Sequence, residues 1–279
     1  MKRYRLLPGH FDTRIAVLMQ LEDIFEVNPK PEVKRQIEDI TLNLTNYYGP
    51  RNINTRLQNL RDIGSIEFSI MVYHNQLLEQ IRDSFIYENY YPALTAACTL
   101  GERILNHLIL DLKEGHIDSK EYNEVADQKS FSNWKLMINT LDAWDILLPE
   151  VVSEFKTLMK IRHKSIHFNQ KLTSDLRKYS LDAIMTIQKI LFKQFSGFGN
   201  QPWFITAIPG EIYLRKEWES KPFVKTYYIP NCILVSPYHR LEGSLPFKIV
   251  DKKIPENQIL SDEEFIELRK SRETPANNV

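Results

Sequence analysis

The sequence predicts a mainly α protein: an antiparallel helical bundle preceded by a helical extension and followed by a small β-containing (α+β) region. Three observations predict it. Apolar residues recur at three- and four-residue spacing as far as about residue 196. Prolines and small hydroxyl residues stand where helices of that spacing would begin. After "GFGN" at 197–200 the pattern changes to aromatic-rich runs separated by turn residues. The expected segments are an N-terminal helical region (1–83), the bundle (84–196) and a C-terminal region with a β-hairpin (197–279), ending in a disordered tail, "RETPANNV".

The elements follow in order. Ile15, Leu18, Met19, Leu21 and Phe25 keep helical spacing until "NPKP" at 28–31. A second helix starts at Pro31 or Glu32, with Val33, Ile37, Ile40 and Leu44 facing inward, and "YYGPRN" (47–52) is a turn. The stretch 65–85 is read as one helix by its length, although Ile66, Phe68, Ile70 and Val72 alternate like a strand. In "YYPALTAACTLGERILNHLILDLKEG" Pro92 suits a first turn. Leu94, Ala97, Leu100, Gly101, Ile104, Leu105, Leu108 and Leu112 make a broad apolar face, and Gly115 is the stop. "KSFSNWKLMINTLDAWDIL" has Ser130 or Ser132 as N-cap. "PEVVSEFKTLMKIRHKSIH" opens on Pro149 with Glu150 in its first turn. "TSDLRKYSLDAIMTIQKILFKQF" is capped by Thr173 or Ser174. Such helices with short connections make an antiparallel bundle. Beyond them, "PWFITAIPGEIYLRKEWE" reads as two strands about a Pro-Gly turn. "FVKTYYIP" and "CILVSPYHRLE" read as further β-type runs. "SDEEFIELRKS" reads as a helix whose Ser261 and Glu264 have capping-box spacing.

Composition narrows the function classes. With 43% apolar residues the 279-residue chain can bury a core, and 36 basic residues balance 36 acidic ones. No global field therefore points to nucleic acid or membrane, and any such surface is local. Cys98 and Cys232 lie far apart and build neither a disulfide framework nor a zinc site. A reducing cytoplasm fits them, and no cofactor or metal is expected. The basic N-terminus is interrupted by Pro8, Gly9, His10 and Asp12, so no signal peptide is read, and no apolar run is long enough to span a membrane.

The stretch that carries chemistry is "RHKSIH", in which Arg162 and His167 are separated by four residues. The spacing alone is cheap: 15 arginines and 7 histidines give about 0.4 such matches by chance. A second match, Arg5 to His10 in "RLLPGH", has Pro8-Gly9 between its two residues. Context separates the two. Arg162 lies near the end of an amphipathic helix, and Lys156, Lys160, Lys164 and Lys171 surround it against Glu154 alone. Five residues along a helix rotate by about 140° and rise about 7.5 Å. The pair converges if the helix ends between the two, or if a second copy brings its own pair across a two-fold axis. A histidine can move protons between a ribose 2′-OH and a leaving 5′-oxygen, while an arginine holds the phosphate. That cleavage needs neither metal nor protein nucleophile. The competing reading is that basic residues at a helix C-terminus complement the dipole.

Residues from about 84 to 196, two-fifths of the chain, resemble the HEPN family (higher eukaryotes and prokaryotes nucleotide-binding domains). The helix with embedded Glu102 and "FKTLMKIRHKSIHF", which fits an Arg-x4–6-His signature, carry the resemblance. It implies a HEPN-like bundle that forms a homodimer with a composite cleft. The implied activity is a metal-independent endoribonuclease acting on RNA in prokaryotic anti-phage defence or toxin–antitoxin growth arrest, with an antitoxin or defence-system partner protein. By the resemblance Arg162 and His167 are the catalytic pair, His163 a polar helper, and Glu102 an acid that holds an arginine or histidine in place. Lys164 adds local positive charge. Other members are non-catalytic nucleotide- or protein-binding modules, which often lose one of the pair; both are present here. His107, Trp134 and Trp144 are read as structural. The aromatics Trp203, Phe204, Tyr213, Trp218, Tyr227, Tyr228 and Tyr238 are read as sheet packing rather than an RNA-stacking surface.

Overall fold

The computed structural model describes residues 2–7, 17–19, 30–65, 69–166, 175–243, 248–251 and 260–271. Among them the chain is mainly helical with a small antiparallel sheet. It divides into two units: His10–Phe195, and Ser196–Val279 together with Met1–Gly9. This differs from the three segments expected at 1–83, 84–196 and 197–279. Helices from the first segment join the bundle, and the first nine residues belong with the C-terminal unit.

In the larger unit the helices are α1 (Pro31–Tyr48), α2 (Ile53–Ile63), α3 (Val72–Ile86), α4 (Tyr90–Leu112), the short α5 (Tyr122–Val125), α6 (Trp134–Ala143), α7 (Pro149–Ile166) and α8 (Leu176–Phe195). Helix α4 is the centre and packs against α3, α6, α7 and α8. Its buried positions, Ala93, Leu94, Ala97, Cys98, Leu100, Gly101, Ile104, Leu105, Leu108, Ile109 and Leu112, spread too widely round the axis for a one-sided surface helix. On α8 the buried positions Ala183, Ile184, Ile187, Ile190 and Leu191 complete the core.

The N-terminal helices are tied to the bundle by buried polar groups. Arg82 of α3 donates from Nη2 to Gly64 O (2.6 Å), and Gln188 of α8 donates to Ile63 O (3.0 Å), so the open carbonyls at the end of α2 are satisfied from two other helices. Asn59 of α2 donates to Phe85 O at 3.1 Å.

Several boundaries differ from expectation. Helix α3 starts at Val72, not near residue 65, because Asn75 captures Ser69 through both its amide atoms (2.8 and 2.7 Å) and diverts the backbone. The N-cap of α6 is Asn133, whose side chain accepts from Leu136 N at 3.1 Å, and not Ser130 or Ser132. Gly115 sits in a 3-10 turn, Lys113–His116, after α4 has ended. Thr173 and Ser174, and most of the helix expected around Ile15 to Phe25, lie outside the described residues, as does the C-terminal tail. Leu18 is described and buried.

The smaller unit holds a four-stranded antiparallel sheet of β1 (Arg3–Leu6), β2 (Phe204–Ile205), β3 (Ile212–Leu214) and β4 (Cys232–Val235), in the order β2-β3-β1-β4. The expected hairpin is β2–β3, with Phe204 opposite Leu214. Strand β1 lies between β3 and β4, pairing Arg5 with Tyr213 and with Ile233. A separate two-stranded ribbon joins β5 (Arg240–Glu242) to β6 (Lys248–Val250). The segment expected as the strand "FVKTYYIP" is helical instead, a π-type turn Val224–Tyr228 running into a 3-10 turn Ile229–Asn231. Burial decides it: Phe223 and Tyr228 close on Trp203 with centroids 5.4 and 5.2 Å away, which a strand's alternation would not allow. Helix α9 (Asp262–Lys270) has the expected capping box of Ser261 and Glu264, and Phe265 joins Ile205, Ile208, Tyr213 and Val235 in the core.

Candidate functional site

Helix α7 presents Val151, Phe155, Leu158, Ile161 and Ser165 to the core and Lys156, Lys160, His163 and Lys164 to the outside. Arg162 sits at the seam. Its side chain is 24% exposed, and its Nη2 is 3.1 Å from Glu102 Oε2 of α4, itself 27% exposed. Trp134 of α6 donates from Nε1 to the same oxygen at 3.1 Å, and the Arg162 guanidinium lies over the Trp134 ring at 5.7 Å from its centroid. One carboxylate thus holds an indole N–H and a guanidinium, and the ring covers one face of the cation.

The sequence builds this clasp from two residues one turn apart on α4. Asn106, four beyond Glu102, accepts from Phe131 N (2.7 Å) and donates to Phe131 O (3.0 Å), which fixes the chain just before α6 and delivers Trp134 to Glu102. Gly101 lets α7 and α6 approach: a Cβ there would lie 2.6 Å from Leu158 Cδ2 and 3.0 Å from Trp134 Cη2. On the other side of α7, Gln194 of α8 donates to Ile146 O (2.9 Å) and accepts from Leu148 N (3.1 Å), setting the start of the helix that carries Arg162.

Cys98 lies one turn before Glu102 and is fully buried. Burial pushes its thiol up to about 12, against the lowering effect of Arg162 and of a hydrogen bond with Ser165. It is therefore neutral at ordinary pH and supplies no nucleophile here. In the last turn of α7 the Ser165 hydroxyl donates back to Arg162 O at 3.3 Å.

Of the expected site residues, Arg162 and Glu102 are brought together, while His163 and Lys164 stand exposed on the adjoining face of α7. His167 falls outside the described residues. Trp134 is buried as expected, but it also orders Glu102, a role that core packing alone did not suggest. The signal was the four-residue spacing of Glu102 and Asn106, two polar residues on one edge of an apolar helix. His107 is exposed, and its Nδ1 is 2.8 Å from Tyr73 Oη. The alternative Arg-x4-His match is different in kind: Arg5 is buried in β1 and pairs with Glu211 at 2.8 Å. The C-terminal aromatics Trp203, Phe204, Tyr213, Tyr227 and Tyr228 are buried, which makes them packing groups.

Among the described residues no group of three or more His, Cys, Asp or Glu is placed to hold a metal ion, and no helix is long and apolar enough to cross a membrane. Comparison with known proteins gives no match to this chain among family models, curated proteins or solved structures.

Proposed function

We propose that this chain is a metal-independent endoribonuclease of the HEPN kind, in which Arg162 and His167 act on one phosphodiester of RNA. The observation that carries the reading is the anchored guanidinium. Arg162 stands one turn from the end of a bundle helix, clasped by Glu102 and Trp134, five residues before the histidine of the motif. Glu102 holds the guanidinium as an ion pair at 3.1 Å, and among the described residues the guanidinium forms no hydrogen bond, so its N–H donors are open to a phosphate. Pre-ordering the cation removes part of the entropy cost of binding the transition state.

In this mechanism His167 takes the proton from the ribose 2′-OH. The 2′-oxygen attacks the phosphorus, and Arg162 offsets the charge on the non-bridging oxygens. As the bond from phosphorus to the 5′-oxygen breaks, that oxygen takes a proton from water and His167 gives its proton back to solvent, leaving a 2′,3′-cyclic phosphate and a 5′-hydroxyl. The bundle is taken to pair with a second copy so that two Arg/His pairs share a cleft, and the biological setting is taken to be cytoplasmic defence or toxin–antitoxin growth arrest with a protein partner. Both rest on the family resemblance. The competing reading is a non-catalytic nucleotide- or protein-binding module. Incubation of the purified chain with RNA in EDTA separates the two: cleavage that disappears in Arg162→Ala and in His167→Ala supports the enzyme. Nucleotide binding unaffected by either substitution, with no cleavage of any RNA, supports the module.

A further inference from the structure

We infer that the outer face of α7 is a binding surface for single-stranded RNA. The inference deepens the catalytic reading and rests on it for the identity of the polyanion. Lys156, Lys160 and Lys164 follow one another at four-residue steps and are all exposed, with His163 beside the last two. Four residues rise about 6 Å along a helix, close to the spacing of successive phosphates on an extended strand. Among the described residues none of the three lysines takes part in an ion pair; the nearest acid of the helix, Glu154, is 3.5 Å from Lys193 instead.

Helix stability does not account for this row. The dipole favours cations only within the last turn, which covers His163 and Lys164 but not Lys156 or Lys160. No Asp or Glu stands three or four residues from any of the three, and like charges four apart repel. A row of cations that costs its own helix something, in a chain of net charge zero, fits an external polyanion. An extended phosphate backbone matches both its sign and its repeat. Arg162 lies between Lys160 and Lys164 along the axis but about 160° round it from both, so the row holds the strand outside the clasp and not within it.

The test is the salt dependence of binding to a fluorescent 2′-O-methyl oligouridine, which cannot be cut by 2′-OH attack. The full chain is compared with the triple variant Lys156→Gln, Lys160→Gln, Lys164→Gln. A control triple removes the same charge from exposed positions of the other unit (Lys221→Gln, Lys225→Gln, Lys270→Gln). The surface predicts that the first variant loses about 2 from the slope of log K against log salt and about tenfold or more in affinity at low salt, while the control loses neither. Unchanged slopes in the first variant overturn the inference, and so do equal losses in the two variants. Poly-glutamate bound as tightly as the oligouridine also overturns it, in favour of an acidic protein surface. RNA cleavage with an unchanged slope would remove the surface and keep the catalytic reading; a lowered slope without cleavage would do the reverse.

Discussion

Glu211 is the most heavily engaged carboxylate described. Arg269 donates to it from Nη2 (2.5 Å) and Nε (2.7 Å), Arg5 lies 2.8 Å away, and the Tyr213 hydroxyl also donates to it. Arg5 reaches His239 Nε2 as well, and His239 Nδ1 is 2.7 Å from Ser236 O, so both contacts suit a neutral ring with its proton on Nδ1. Removing Glu211 leaves the buried Arg5 and the partly buried Arg269 without the carboxylate they share. Glu211→Ala is expected to cost about 3–5 kcal/mol in chemical denaturation. Burial alone would raise the Glu211 carboxyl, but the hydrogen bonds from Arg269 and Tyr213 and the charge of Arg5 outweigh it and hold it below 4.5. Its contribution is therefore present above about 4.5 and is lost as pH falls through the lowered value. His74 has its own window. Burial first, then the nearby His107, lowers it from 6.5 to about 3. Between those values the unfolded chain binds a proton that the folded chain refuses, so stability falls as pH drops, by at most about 1.4 kcal/mol per unit. Urea denaturation of the wild type and His74→Gln between pH 7 and 5 should show a flatter pH dependence in the variant.

At the scale of elements, the approach of α4 to α6 and α7 depends on Gly101. Gly101→Ala drives a methyl into Leu158 and Trp134 in the same layer as the Glu102–Arg162 pair. Overpacking costs about 1–3 kcal/mol and better helix propensity returns about 1, so a thermal melt should show a modest loss of stability. On the proposed function, RNA cleavage should fall by more than that loss explains, because the clasp is displaced. The helices were legible because periodic apolar residues, Pro149 in the bundle and the Ser261–Glu264 box of α9 are local signals. The start of α3 was not, since Asn75 acting on Ser69 is a contact between side chain and backbone that apolar spacing ignores. The helical turn at Val224–Tyr228 was not legible either. Aromatic and β-branched residues favour strands on average, and only the position of Trp203 in space reverses that.

For the whole molecule, the surprise is that residues 3–6 pair with strands more than 200 residues further along the chain. "RYRL" alternates, but it places arginines inward, and Arg3 and Arg5 are tolerable there only because Asp262 (2.9 Å) and Glu211 answer them from distant parts of the sequence. A carboxylate more than 200 residues away cannot be read from a local pattern. Deleting residues 1–7 removes β1, the strand that β3 and β4 both pair with, and is expected to abolish cooperative unfolding of the C-terminal unit, read by Trp203 fluorescence. The candidate site was legible to a smaller degree. Arg162 and Glu102 could be named from sequence, whereas the indole that orders them could not. The central claim, that Arg162 and His167 cut RNA through its own 2′-hydroxyl without metal, is tested most directly by the ends of the products. Digestion of RNA in EDTA should give 2′,3′-cyclic phosphate and 5′-hydroxyl termini and leave a 2′-deoxy strand intact. Products ending in 5′-phosphate and 3′-hydroxyl, or cleavage of the deoxy strand, would contradict it.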